Sequence, residues 1–286
     1  MRYLENAFKF TLNNFLLAIP LLISMAIPSL IIKIGTAGFT AKLAQKYTEI
    51  FMSVLRGEYL DISANFFDEL ISMPMIICVT IGGFLLLLFS ILIYPATYGL
   101  INKKYETGNA TLSDFTQCMS KYIGRYIQFG LLSIAISIGL VLVLVILVVI
   151  ASVIAALVST IAGILLMLLF YFAFIVGNIA LGIYMILWFP AVCVEDSGII
   201  EGLKNSFKTV NGSFWPILGI TILISLGGGI AGSILGIFPF VGVVISSVIS
   251  RLANFVLIVY YFEIYRAKTG RFYSADNFQQ INNPIE

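Results

Sequence analysis

The sequence predicts an all-α integral membrane protein with six transmembrane helices, arranged as three hairpins. Hydrophobic residues make up 60% of the 286 residues and charged residues only 10%, and the mean hydropathy is +1.05. This is more apolar surface than a soluble domain of this length presents to water. Apolar stretches of spanning length recur along the chain, and the positive charges favour one side of the membrane when six spans are drawn.

Five nearly uncharged stretches hold the six predicted spans, because a helix crosses the hydrocarbon core with about 20 mainly apolar residues. They cover residues 15–34, 73–101, 126–194, 214–235 and 239–262. The third stretch is long enough for two long helices or for three of ordinary length. Two long helices would measure about 50 Å each, so they would tilt, kink or protrude from the membrane. Ser159, Thr160 and Gly163 mark the predicted turn between them.

Lysine and arginine residues decide between these alternatives, since they stay preferentially on the cytosolic side of short loops. With six spans, eleven of them are cytosolic and four, Lys33, Lys42, Lys46 and Arg56, are outside. With seven spans, six are cytosolic and nine are outside. The six-span topology, with both termini in the cytosol, is therefore predicted.

An amphipathic segment precedes each predicted hairpin and is expected to lie at the membrane interface. The first and third segments can be aligned through Asn6, Phe8, Lys9 and Phe15 with Asn205, Phe207, Lys208 and Phe214. The middle segment, which contains Lys121 and Arg125, follows the pattern more loosely. These matches predict repeats at about 1–105, 106–194 and 195–270 within a single domain, 1–286. The alternative is that interfaces favour such residues in many membrane proteins.

The loop between the first two spans is predicted to be the largest segment outside the membrane. An apolar stripe from Phe39 to Leu55 is expected to rest on the outer leaflet. Asp61, Asp68 and Glu69 make the end of this loop acidic, which could attract a cationic peptide or a metal ion. The alternative is an ordinary solvated surface.

Arg251 is the strongest candidate for a ligand-binding residue, because it is the one formal charge well inside a span. A charge at that depth costs about 3 kcal/mol on insertion scales and usually faces protein or water. Nearby polar residues, among them Asn254, could instead solvate it, or the guanidinium could reach the outer interface. Asn178 and Gln128 are further polar interruptions, and each could bind a ligand or simply hold helices together.

Gly228, Gly232 and Gly236 lie four residues apart in the fifth span. Small residues at this spacing predict close helix packing, while a glycine-rich helix can also unwind beside a transport site.

At the start of the third amphipathic segment, Glu195, Asp196 and Glu201 are interpreted as acidic residues that cap a helix N-terminus.

Several functional classes lack support in the sequence. Histidine is absent, and no phosphate-binding loop, HExxH or GxSxG motif occurs. We therefore expect no catalytic residues, metal ligands or cofactor. The net charge of +2 and the scattered basic residues give no indication of a nucleic-acid partner. Cys78, Cys118 and Cys193 do not indicate a disulfide framework.

Two stretches resemble a known prokaryotic membrane domain. They read WFPAVCVEDSG at 188–198 and GLKNSF at 202–207, followed by Phe214 and Trp215, and the sixth span closes with YYFEIYR at 260–266. The chain resembles the six-helix membrane domain joined to some glycerophosphodiester phosphodiesterases, together with related free-standing proteins of unknown function. The resemblance implies a membrane module in a prokaryotic plasma membrane that accompanies another activity. It does not imply phosphodiesterase activity, because the catalytic histidine and clustered acids are absent.

Three functional hypotheses follow. The first is a non-enzymatic scaffold or accessory subunit of a membrane export or lipid-processing system, with the bilayer and a membrane protein as partners. The second is a carrier of small molecules or lipids that holds an anionic lipid or substrate near Arg251. The third is an immunity protein against a membrane-active peptide, with residues 39–57 as the docking segment.

Overall fold

The computed structural model describes residues 2–56, 71–236, 238 and 241–271. Short 3-10 turns at Phe15–Ala18 and Leu112–Asp114 lead into two of the helices. The described helices are α1 (Arg2–Asn13), α2 (Ile19–Leu55), α3 (Met73–Thr107), α4 (Phe115–Leu157), α5 (Thr160–Met185), α6 (Trp188–Glu195), α7 (Ile199–Asn211), α8 (Phe214–Leu235) and α9 (Val241–Lys268).

Six of the described helical segments are long and apolar enough to cross a membrane, which confirms the predicted number of spanning-length helices. They are Phe15–Ser53, Met73–Thr107, Leu112–Leu157, Thr160–Glu195, Phe214–Leu235 and Val241–Lys268. The long apolar stretch divides where the sequence predicts, because α4 ends at Leu157 and α5 begins at Thr160. At this turn Gly163 faces Ala155, and a Cβ at Gly163 would lie 2.2 Å from the Ala155 Cβ.

The first span differs from its predicted extent. The sequence predicts a helix over 15–34 and a loop after it, whereas α2 continues unbroken to Leu55. Residues 41–46 are mostly strong helix formers, which favours continuation of the helix. Gly35 does not break the helix but allows close packing, since an added Cβ there would lie 2.2 Å from the Cys78 Cβ. The acidic residues Asp61, Asp68 and Glu69, the side chain of Val54 and the predicted start of the sixth span at Pro239 lie outside the described residues.

Two of the three predicted amphipathic segments form separate short helices. Helix α1 buries Ala7, Phe10 and Thr11, and α7 buries one face from Ile199 to Val210. The middle segment differs, because Phe115 already begins α4 and the helix runs on through Lys121 and Arg125 into the third span. No proline interrupts it, so a helix that starts there propagates into the apolar stretch.

The described chain divides into two compact units. The first contains the chain up to Leu17, Pro95–Leu223 and the chain from Val256 onward, and the second contains Ala18–Tyr94 and Ile224–Phe255. In the first unit, buried Trp188 packs with Val192 and Ile199. In the second, α2 and α3 approach closely, since a Cβ at Gly82 would lie 2.4 Å from the Ile32 side chain. The three repeats within one domain stay a prediction.

Helices α3 and α9 end in the same way. The Thr107 hydroxyl donates to the Lys103 carbonyl at 2.9 Å, and the Thr269 hydroxyl donates to the Tyr265 carbonyl at 2.8 Å. Gly108 and Gly270 follow with φ of 73° and 70°, a left-handed conformation that glycine adopts without a Cβ penalty. The Thr107-Gly108 and Thr269-Gly270 pairs therefore terminate their helices with the same C-terminal geometry.

Candidate functional site

Arg251 lies within α9 and belongs to the second unit. Its Nη1 donates to the phenol oxygen of Tyr94, and the guanidinium carbon lies 5.6 Å from the centroid of that ring. Its Nη2 lies 3.0 Å from the thioether sulfur of Met25, which is a weak acceptor. Among the residues that the structure describes, no carboxylate forms an ion pair with Arg251. The described hydrogen-bond partners of the guanidinium, which has five N–H donors, are therefore both uncharged.

The other polar candidates are divided between the two units. Asn254 belongs to the same unit as Arg251, and its buried Oδ1 has no hydrogen-bond donor among the described residues. Asn178 and Gln128 belong to the first unit. The Nδ2 of Asn178 donates to the Phe174 carbonyl one turn earlier in α5, at 2.9 Å, and Gln128 lines an open cleft of about 690 Å³ beside the first turn of α7.

The glycines of α8 differ in what they face. A Cβ at Gly228 would lie 2.7 Å from the Ala253 Cβ of α9, and one at Gly232 would lie 3.0 Å from the Ser246 hydroxyl. At Gly236, the residue after the end of α8, the atom nearest to an added Cβ is the Gly232 carbonyl oxygen, at 3.0 Å. Gly228 and Gly232 therefore bring α8 and α9 into close contact, and α8 is a continuous helix up to Leu235.

Of the acidic residues predicted at the start of α7, Glu201 lies in its first turn, whereas Glu195 and Asp196 precede the helix and do not cap it. The N-cap residue is Gly198, because α6 ends at Glu195 and Asp196 adopts a left-handed conformation, with φ of 51°. Asp196 instead pairs with Arg125 and, at 3.7 Å, with Lys121. The hydrogen bond from Arg125, supported by its charge, lowers the pKa of Asp196.

A polar cluster that the sequence reasoning missed lies in the first unit. It consists of Asn6, Asn102, Tyr105, Glu263 and Arg266. Glu263 is 8% exposed and accepts hydrogen bonds from the Tyr105 hydroxyl at 3.0 Å and from Asn6 Nδ2 at 3.5 Å. Arg266 is 7% exposed, and its Nη2 donates to Asn102 Oδ1 at 2.6 Å. The cluster joins α1, α3 and α9.

The cluster continues towards α6 and α7. Asn102 Nδ2 donates to the Cys193 carbonyl at 3.1 Å. Both carboxylate oxygens of Glu195 accept hydrogen bonds, one from the Tyr265 hydroxyl and the other from Asn205 Nδ2. Buried polar groups of this kind stabilise a structure only when their partners are present. These bonds therefore fix the ends of α3 and α9 against α6 and α7.

One sequence signal could have located the cluster. Glu263 and Arg266 lie three residues apart at the end of an apolar span, so they share one helix face. A carboxylate and a guanidinium at that position require partners from other helices. In the sequence analysis, both residues belong to the closing motif of the resemblance, and Arg266 is one of the eleven predicted cytosolic charges.

Comparison with known proteins gives a family and no function. Residues 48–268 match a family described as "Domain of unknown function (DUF7847)". The chain belongs to the DUF7847 family. No curated protein and no solved structure shows significant similarity to the chain.

The DUF7847 match begins within α2 and ends at Lys268, the last residue of α9. It therefore includes Arg251, the glycines of α8 and every residue of the polar cluster except Asn6. The resemblance to the membrane domain of glycerophosphodiester phosphodiesterases remains a prediction.

Proposed function

We propose that this DUF7847 protein is a non-enzymatic scaffold or accessory subunit of a membrane export or lipid-processing system. The polar cluster is the observation that carries the proposal. Its two buried charged residues, Glu263 and Arg266, are bound by side chains of the first unit, which favours one fixed arrangement of helices. A rigid arrangement of helices is suited to a scaffold protein that binds and positions other proteins.

The surfaces of α4 and α5 provide room for a partner. The most apolar part of α5 contains no buried residue, and in α4 the buried share is 6%. Ala173 and Gly177 are exposed and lie four residues apart on α5, and no described atom lies within 4 Å of a Cβ placed at Gly177. Small residues at this spacing allow another transmembrane helix to approach closely.

The test is photo-crosslinking in native membranes from a reactive residue at position 173. The matched control is position 146 on α4, because Ile146 is exposed but its neighbours one turn away are bulky: Leu142, Val143, Val149 and Ile150. We expect a discrete protein adduct from 173 and mainly lipid adducts from 146. If position 173 repeatedly yields no protein adduct in stoichiometric amount, the scaffold proposal fails.

We also propose a prokaryotic plasma-membrane location with both termini in the cytosol, three hairpins, and α1 and α7 at the interface. The charge distribution supports this topology. Single cysteines at Lys9→Cys and Lys42→Cys, with the native cysteines replaced, would test it by labelling with an impermeant maleimide. Lys42→Cys should react in intact cells and Lys9→Cys only after permeabilisation, and the reverse result would invert the topology.

A second candidate function is the carriage or handling of an anionic lipid or substrate at Arg251. The observation in its favour is the guanidinium, whose described partners are only a phenol oxygen and a thioether. An anionic group would supply the missing charge-assisted hydrogen bonds. Arg251→Gln should remove co-purified anionic lipid, Arg251→Lys should retain part of it, and Arg56→Gln serves as a control for net charge. Unchanged lipid content in Arg251→Gln would remove this candidate.

A further inference from the structure

A cleft of about 410 Å³ lies between the C-terminal half of α7 and the last turn of α9. Lys208 and Thr209 line it from α7, and Lys268 lines it from α9. Glu195 and Tyr265 form part of its wall. All of these residues belong to the first unit, and the volume falls within the range of small-ligand sites.

The charged side chains in the cleft differ in whether they can contact a ligand. Both oxygens of Glu195 already accept hydrogen bonds, from Tyr265 and Asn205. Lys208 and Lys268 are exposed, and neither forms an ion pair with a carboxylate in the described part of the chain. Arg271 donates to the Val194 carbonyl beside Glu195, at 2.7 Å, and adds a third cation near the wall. The groups free to receive a ligand are therefore cationic.

Aromatic residues of the kind that concentrate at the level of lipid headgroups lie on the helices next to this cleft. Tyr184 stacks on Phe207 of α7, with ring centroids 5.1 Å apart, and lies 5.5 Å from Phe214, where α8 begins. Trp215 follows and is 76% exposed. Tyrosine and tryptophan concentrate at the membrane–water interface because their rings are apolar and their polar atoms remain hydrated.

We propose that this cleft binds the phosphate of an anionic phospholipid headgroup. Lys208 and Lys268 supply the two charged contacts, since lysine binds phosphate as a point charge. The Thr209 hydroxyl supplies a neutral donor. A soluble phosphate ester presents the same group, so the experiment must separate the two sources.

The test compares lipid binding to the full-length protein in a neutral detergent by native mass spectrometry. The probes are phosphatidylglycerol, phosphatidylcholine and free glycerol phosphate. The double variant Lys208→Gln/Lys268→Gln should bind phosphatidylglycerol about 30-fold more weakly, because each lysine lost removes about 1 kcal/mol of attraction to a phosphate in direct contact with it. The control Lys9→Gln/Lys204→Gln removes the same charge outside the cleft and should bind almost as well as the unmodified protein.

Four results would overturn the proposal. An equal loss in the control would show general charge attraction without a site. Unchanged lipid binding in the cleft variant, with lower thermal stability, would show that the lysines only stabilise the helix ends. Phosphatidylcholine binding as tightly as phosphatidylglycerol, or displacement of the lipid by an equal concentration of glycerol phosphate, would exclude an anionic lipid as the ligand.

Discussion

Substitution of the three consecutive glycines of α8 separates helix packing from helix propensity. Gly228 faces Ala253 of α9, and an added Cβ would lie 2.7 Å from the Ala253 Cβ. The preferred separation of two carbon atoms is about 3.5–4.0 Å, so Gly228→Ala forces α8 and α9 apart by roughly 1 Å. At Gly227 and Gly229 no described atom lies within 4 Å of the added Cβ.

The three variants share one favourable contribution and differ in one unfavourable contribution. Replacement of glycine by alanine inside a helix stabilises it by about 1 kcal/mol at any of the three positions. Overpacking costs about 1–3 kcal/mol and applies only at Gly228. The free energy of unfolding of Gly228→Ala should therefore be about 1–3 kcal/mol lower than that of Gly227→Ala or Gly229→Ala.

Thermal denaturation of the three purified variants in one detergent measures this difference. A change of 1 kcal/mol shifts Tm by about 2–4 °C in a domain of this size class, so Gly228→Ala should melt well below the other two. If all three variants melt at the same temperature, α8 and α9 do not pack through Gly228.

Two further changes test the first unit. Tyr105→Phe removes the hydroxyl that donates to Glu263 and should destabilise the protein by about 2 kcal/mol, whereas Tyr171→Phe on the exposed surface of α5 should have little effect on Tm. The hydrogen bond from Arg125 lowers the pKa of Asp196 in the folded protein. The pair therefore contributes its full stabilisation only above the pKa that Asp196 has in the unfolded chain, which is about 4. The stability difference between the unmodified protein and Arg125→Gln should shrink as the pH falls below about 4, and a constant difference would exclude this linkage.

Local patterns in the sequence were sufficient for the main helices. The turn at Ser159 was predictable because small and polar residues interrupt an otherwise continuous apolar stretch. Helix α7 was predictable because its apolar and charged residues alternate with helical spacing. The continuation of α2 beyond residue 34 was missed, because the predicted apolar stretch ends there and the contact of Gly35 with Cys78 could not be inferred from sequence.

The polar cluster could not be derived from such patterns. Asn6 and Glu263 are 257 residues apart, and Arg266 and Asn102 are 164 residues apart. Periodicity identifies the face of a helix on which a residue lies but not the helix that it meets. Only the folded chain shows which residue accepts or donates each hydrogen bond.

The two arginines of α9 differ in what their removal should cost. Arg266 donates to Asn102 and lies 3.5 Å from Glu106, so Arg266→Met leaves a buried acceptor without a donor and should destabilise the protein by about 2 kcal/mol. Arg251→Met removes a charge that is unfavourable at depth by about 3 kcal/mol, and it leaves behind only a phenol oxygen and a thioether. We therefore expect Arg251→Met to melt no lower than the unmodified protein. Such a result would mean that the fold does not need Arg251, and that a bound anion or partner is the better explanation for a charge at this position. A large loss of stability would instead make Arg251 a structural residue and remove the support for the carrier candidate.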